Sequence, residues 1–188
     1  MAETLRVTET AVLQAVAHPL RRRVLDVLRV HGPQTVSLLA ERTGSAVGNV
    51  SHHVRVLADA GLLVEAPELA RDRRERWWGL VSRGLQWTEA DFDTDPAGAA
   101  TAAAATRLGL QRQLELTRAW LDAAPDEPAW RGAAVSTDAW LSLAPDELRA
   151  LGEELGEVLT RWRERVQAQE REGRRPVFVY ARAFPSEP

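Results

Sequence analysis

Glycines at 32, 44 and 61 cut about the first third of this chain into segments of short, fixed length, and that punctuation limits what it can become. Before Gly32, the apolar residues Val12, Leu13, Val16, Val24, Leu25, Val27 and Leu28 recur at helical spacing. Pro19 interrupts the run. With a fixed φ and no amide hydrogen it suits the first position of a helix, so His18 and Pro19 mark a break between two helices. Between the first two glycines, Thr35 is placed to cap a helix over 36–42 that turns Val36, Leu39 and Ala40 inward. Gly44 suits a left-handed helix end, and Ser45 suits the cap of the next helix, 46–59, which Gly61 stops. Two short helices joined by a tight glycine turn have helix-turn-helix order.

On the second of these helices, Val47, Val50, Val54 and Leu57 share one face. Gly48, His52, Arg55 and Asp59 fall opposite, flanked by Asn49 and Ser51. Leu62, Leu63 and Val64 read as a short strand, and 77–81, beginning with Trp77 and Trp78, as another. Between the strands lies a loop carrying Arg71, Arg73, Arg74 and Arg76, a hairpin with a basic tip. A DNA major groove about 12 Å wide admits one helix. Asn49 has the amide to pair with adenine, and His52 and Arg55 the donors for guanine or phosphate. Gly48 would let the backbone approach, and Ser45 and Ser51 could donate to phosphates. Arg71, Arg73 and Arg74 would neutralise phosphates and release counterions regardless of sequence. The bland alternative is an amphipathic helix with a solvated polar face beside a solvated loop. The order of helix, glycine turn, helix, glycine, strand, basic loop and aromatic strand favours the nucleic-acid reading.

Charge distribution points the same way. The net charge of −3 hides an asymmetry: residues 1–88 hold 12 Arg against 9 acids, net +3, and residues 89–188 hold 12 Arg against 18 acids, net −6. One half suits a polyanion and the other does not. There is no cysteine, which removes disulfides, thiolate metal sites and thiol redox sensing from this chain. No apolar run approaches the roughly 20 residues that span a bilayer. Residues 1–10 lack a signal-peptide core, so a cytoplasmic location is expected. No phosphate loop, zinc motif or serine elbow is present, and an enzyme is not expected. A winged helix used only for protein contacts is the remaining alternative.

Three stretches carry a family resemblance. The run Ala17-His18-Pro19-Leu20-Arg21-Arg22-Arg23-Val24-Leu25 resembles the opening of the arsenical-resistance-repressor (ArsR) superfamily. Val50-Ser51-His52-His53-Val54-Arg55-Val56-Leu57-Ala58-Asp59-Ala60-Gly61-Leu62 resembles its recognition-helix pattern, and Arg76-Trp77-Trp78-Gly79-Leu80 its second wing strand. The match spans about residues 10–85. It implies a homodimeric winged helix-turn-helix regulator, often a repressor, reading a palindromic operator on double-stranded DNA. Founding members sense metals through cysteines before the recognition helix; here Val36, Ser37, Leu38, Leu39, Ala40 and Glu41 offer no thiolate. The four histidines do not make a metal spacing, and no cofactor is expected. His53 joins the candidate DNA contacts, although its place at the edge of the core face makes packing its default role.

The C-terminal half is read more coarsely. The fold class expected is mainly α with small β: a winged helix-turn-helix domain over 1–88, a linker over 89–98, and a C-terminal α+β extension over 99–188 for dimerisation or effector sensing. Alanine and leucine make 99–123 a long helix. Alternation suggests a strand within 130–143, acids after Pro145 a helix running to Glu172, and composition a strand over 177–181. This half holds Trp120, Trp130, Trp140 and Trp162 of the chain's seven tryptophans. Together with Tyr180 these are the candidate walls of a small-molecule effector pocket, though such residues more often fill a core or an interface.

Overall fold

The computed structural model describes residues 2–72, 75–123, 128–169 and 171–187. The chain divides into two compact units, Met1–Arg112 and Gln113–Pro188.

The first unit follows the glycine and proline punctuation. Helix α1 (Thr10–Val16) stops before the break, and α2 (Pro19–His31) begins with proline at its first position. The His18 Nδ1 accepts the Leu20 amide hydrogen at 3.2 Å and so caps α2. In α3 (Val36–Thr43) the Thr35 hydroxyl oxygen accepts from the Leu38 amide at 3.3 Å, and Gly44 ends the helix at φ +62°. Helix α4 (Val47–Asp59) starts after Ala46 with no side-chain cap. Ser45 does not take the capping role expected of it; its hydroxyl points back to the Thr43 carbonyl at 3.5 Å.

Strands β1 (Ala2–Arg6), β2 (Gln34–Thr35), β3 (Leu63–Glu65), β4 (Trp77–Leu80) and β5 (Ser82–Gln86) form two small sheets. In the first, β2, β4 and β3 lie in that order, all antiparallel, with Leu63 opposite Leu80 and Glu65 opposite Trp78. This hairpin is the wing. The second pairs β1 with β5 in parallel, Thr4 opposite Gly84 and Arg6 opposite Gln86. Nothing local in residues 2–6 announces a strand, and its partner lies about 80 residues away.

The apolar faces of α1 to α4 meet in one core, where Leu13, Leu25, Leu39 and Leu57 are almost wholly buried. Each such side chain contributes about 1.5–3 kcal/mol through removal from water. Residues 89–98, expected as a linker, form a 3₁₀ turn (Glu89–Phe92) and the start of α5 (Pro96–Ala123). Phe92, Ala102 and Ala105 join the core. A Cβ at Gly98 would stand 2.7 Å from Thr10 Oγ1, so that approach requires glycine.

In the second unit, α6 (Pro128–Ala133) and α7 (Pro145–Gln167) are the further helices. Two expectations fail here. The strand expected within 130–143 begins as helix and continues without regular pairing, and 177–181 is not paired either. Aromatic and β-branched residues make a strand only where a partner satisfies their backbone groups, and the described residues supply none. The acid-started helix ends at Gln167, short of Glu172. No described helix is long and apolar enough to cross a membrane.

Candidate nucleic-acid interface

Helix α4 is locked on one side and open on the other. Val50, His53, Val54 and Leu57 are buried. Gly48, Asn49, His52 and Arg55 are exposed, and Ser51 is half-buried. Val47, expected on the inward face, is 52 % exposed, whereas Val50 is fully buried. A Cβ at Gly48 would meet nothing within 4 Å, so the surface beside it is open. With no side chain capping it, this helix start presents amide hydrogens and the positive end of its dipole outward.

His53 faces inward and does not reach the exposed surface. Its ring centroid lies 4.4 Å from that of His18 and 5.3 Å from that of His52. Arg21 Nη1 stands 3.5 Å from His53 Nδ1. The same guanidinium donates to the Gln14 carbonyl at 2.8 Å and to the Ala15 carbonyl. A guanidinium only donates, so this contact takes His53 Nδ1 as the acceptor, the role it has in a neutral ring that carries its proton on Nε2. The His18 Nδ1 is likewise occupied as an acceptor, by the Leu20 amide. Burial, then the neighbouring charges of Arg21 and His52, holds His18 below the usual histidine range. For His53 the causes are burial first, then His18, Arg21 and His52. This cluster ties the break between α1 and α2 to the middle of α4. Among the described residues, no group of three or more His, Cys, Asp or Glu has the geometry of a metal site.

The wing carries the second set of charges. Arg71 is exposed, and its amide donates to the Glu75 carboxylate at 2.9 Å. The Glu75 amide in turn donates to the Asp72 carboxylate at 3.1 Å. Arg73 and Arg74 lie outside the described residues. Arg76, exposed at the base of the loop, stands 3.6 Å from the Glu65 carboxylate. Between α4 and β4 runs an open cleft of about 310 Å³, lined in part by Ser51, Arg55, Asp59, Arg76 and Trp78. It brings Arg55 of the helix and Arg76 of the wing to one opening. The sequence places Arg76 in the basic loop without marking it as a contact. Its place immediately before Trp77, at the edge of the strand that faces α4, was the available signal.

The aromatic candidates of the second unit are all at least partly exposed. Trp120, Trp140, Trp162 and Tyr180 are exposed and Trp130 is half-buried. The contacts described for them are with other groups: Arg165 lies 4.5 Å over Trp162, Arg175 lies 5.5 Å over Trp130, and Tyr180 sits 5.8 Å from Phe178 and 3.3 Å from the Thr117 hydroxyl.

A helix-turn-helix domain model matches residues 16–66, the stretch that holds the capped turn and α4. No curated protein matches the sequence. Among solved structures, a possible transcriptional regulator for arsenical resistance is 31 % identical, over 62 % of this chain and 97 % of that one, with a TM-score of 0.32. An ArsR family transcriptional regulator is 27 % identical, over 63 % of this chain and 97 % of that one, with a TM-score of 0.33. A homodimeric winged helix-turn-helix DNA-binding domain from Mycobacterium bovis, a possible ArsR-family regulator, is 17 % identical, over 62 % of this chain and 83 % of that one, with a TM-score of 0.33. Residues 16–66 match a helix-turn-helix domain, and the strands and helices around them give the N-terminal unit the architecture of a winged helix-turn-helix.

Proposed function

We propose that this chain is a sequence-specific DNA-binding transcriptional regulator, acting as a homodimeric repressor on a palindromic operator and catalysing no reaction. The observation that carries the reading is the two-sidedness of α4: its apolar side is fixed in the core while Asn49, His52 and Arg55 stand exposed. A helix held this way is offered to a groove in one orientation. Asn49 would read adenine, and His52 and Arg55 guanine or phosphate. Gly48 allows the uncapped helix start to approach a phosphate, with Ser45 and Ser51 beside it. Arg71 and Arg76 supply backbone charge from the wing, and Arg73 and Arg74 follow by their place in the loop. The solved structures similar to this chain are named as regulators of transcription, one of them as a homodimeric DNA-binding domain. A dimer would set two copies of α4 about one DNA turn apart, and occupancy of such a site blocks transcription. Cysteine-based metal sensing is not part of the proposal, since the chain has no cysteine. A small-molecule effector, if one acts, falls to the second unit.

The test is a binding titration on operator and random DNA across salt. Combined replacement of Arg71, Arg73 and Arg74 by Ala is expected to weaken binding to both DNAs and flatten the dependence on salt by about one counterion per arginine in contact. Binding insensitive to salt, or no binding to DNA at all, would favour a winged helix that contacts proteins instead.

A further inference from the structure

Helix α7 carries an apolar stripe of which no residue is fully buried: Leu148, Leu151 and Leu159 are half-buried, and Leu155, Trp162 and Val166 are exposed. Leu148, Leu151, Leu155, Leu159, Trp162 and Val166 recur at three- and four-residue spacing. Of these, Leu155, Trp162 and Val166 are 39, 55 and 46 % exposed, and Val158 at the stripe's edge is 39 % exposed. Such spacing is the seam of paired helices. The charges beside the seam are sorted along it. On one flank Glu147 and Glu154 come first, then Arg161 and Arg165. The other edge is formed by Gly152 and by Leu159 and Val166 of the stripe itself, none of which carries a charge.

We propose that α7 pairs with α7 of a second copy of this chain, antiparallel, about an axis passing close to Gly156 and Glu157. The inference deepens the homodimer reading given above by naming its surface and orientation. In that arrangement Leu155 meets Val158 of the second copy, Leu151 meets Trp162, and Leu148 meets Val166. The same flank faces itself reversed, so Glu154 stands beside Arg161 and Glu147 near Arg165 of the other copy. A parallel pair would instead set Glu147, Glu154 and Arg161 against Gly152, Leu159 and Val166, leaving each charge without an opposite. Charge flanking the seam decides orientation in this way. A Cβ at Gly152 or Gly156 meets nothing within 4 Å, which leaves room beside the stripe for the Trp162 ring of the other helix. The ion pair of Arg161 with Glu157, 3.6 Å apart with both side chains more than half exposed, is weak enough to exchange for one across the seam.

The absence of native cysteine makes the test direct. Leu148→Cys and Val166→Cys are prepared separately in the full-length chain and oxidised alone and mixed, without DNA. Disulfide-linked dimers are expected in the mixture and not in either variant alone. Cross-linking of each variant with itself would mean a parallel pair and would overturn the proposal. So would an absence of cross-links in all three samples, or a wild-type chain that sediments as a monomer at micromolar concentration. Should these variants fold poorly, two exposed charges give a second measurement. Glu154→Arg or Arg161→Glu is expected to weaken dimerisation about tenfold or more, and the double exchange to restore it. Additive weakening in the double variant would overturn the pairing. Because cross-linking is read without DNA, its failure leaves the DNA-binding reading standing, and loss of operator binding with intact cross-linking would strike that reading alone.

Discussion

Residues 1–112 close a core within one chain, whereas every described side chain from 113 to 187 is at least partly exposed. Apolar content does not separate the two regions. The second is rich in large apolar groups, with Trp140 at 67 % and Phe184 at 69 % exposure, yet none is enclosed. What differs is where each amphipathic helix finds its complement. Helices α1 to α4 turn their stripes toward one another. The stripe of α7 has its complement, by the proposal above, in a second copy. An amphipathic pattern states that a helix needs a partner and says nothing of which molecule provides it.

The sharpest way to break this contrast is to cut the same side chain from both regions. Leu57→Ala is expected to cost about 2–5 kcal/mol, seen as a lowered unfolding midpoint at every protein concentration. Leu155→Ala should leave the unfolding of the first unit nearly unchanged and show its effect as weaker self-association. An equal loss for both at high dilution would erase the distinction.

Next in size come effects on DNA binding with the fold intact. Asn49→Ala should cost about 1–3 kcal/mol at one base pair of the operator while barely changing affinity for random DNA. An equal loss on both DNAs would mean that Asn49 does not read sequence.

A third expectation concerns acid. His18 and His53 titrate below 6.5 in the folded chain, mainly through burial, and near 6.5 when unfolded. The unfolded state therefore binds protons more readily, so this contribution to stability is fully present above the unfolded value and is lost as pH falls through the folded values. The urea midpoint of the wild type should drop as pH falls below the unfolded histidine value, and His53→Gln should flatten that drop. A wild type that gains stability on acidification would contradict the neutral cluster.

Much of the first unit was legible because its signals are local. Pro19, Thr35, Gly44 and Gly61 each act on the backbone within a turn of themselves, and the breaks and caps stand where they put them, Ser45 excepted. The parallel pairing of 2–6 with 82–86 was not legible, since it depends on a contact made only after folding. The inward turn of His53 was half legible. Its position on the edge of the face was plain, but the ring stack with His18 and the approach of Arg21 need the α1–α2 break folded against α4. In the second unit, composition promised strands at 130–143 and 177–181, and composition cannot supply the neighbouring strand that makes one.

The smallest expected effect separates binding from stability within α4 itself. Gly48→Ala places a methyl group in open space and improves helix propensity, so stability should rise by about 0.5–1 kcal/mol. Affinity for DNA should fall, because in the proposed complex the same methyl group would stand where the backbone approaches a phosphate. A gain in both would remove Gly48 from the contact surface.

The most direct measurement is selection of bound fragments from a random-sequence DNA pool by the full-length chain. The expected product is an inverted repeat whose half-sites lie about 10–10.5 base pairs apart, one turn of DNA, with the preference lost in Asn49→Ala. Enrichment of no sequence, or the same site recovered undiminished by Asn49→Ala, would contradict the assignment of α4 as the helix that reads DNA.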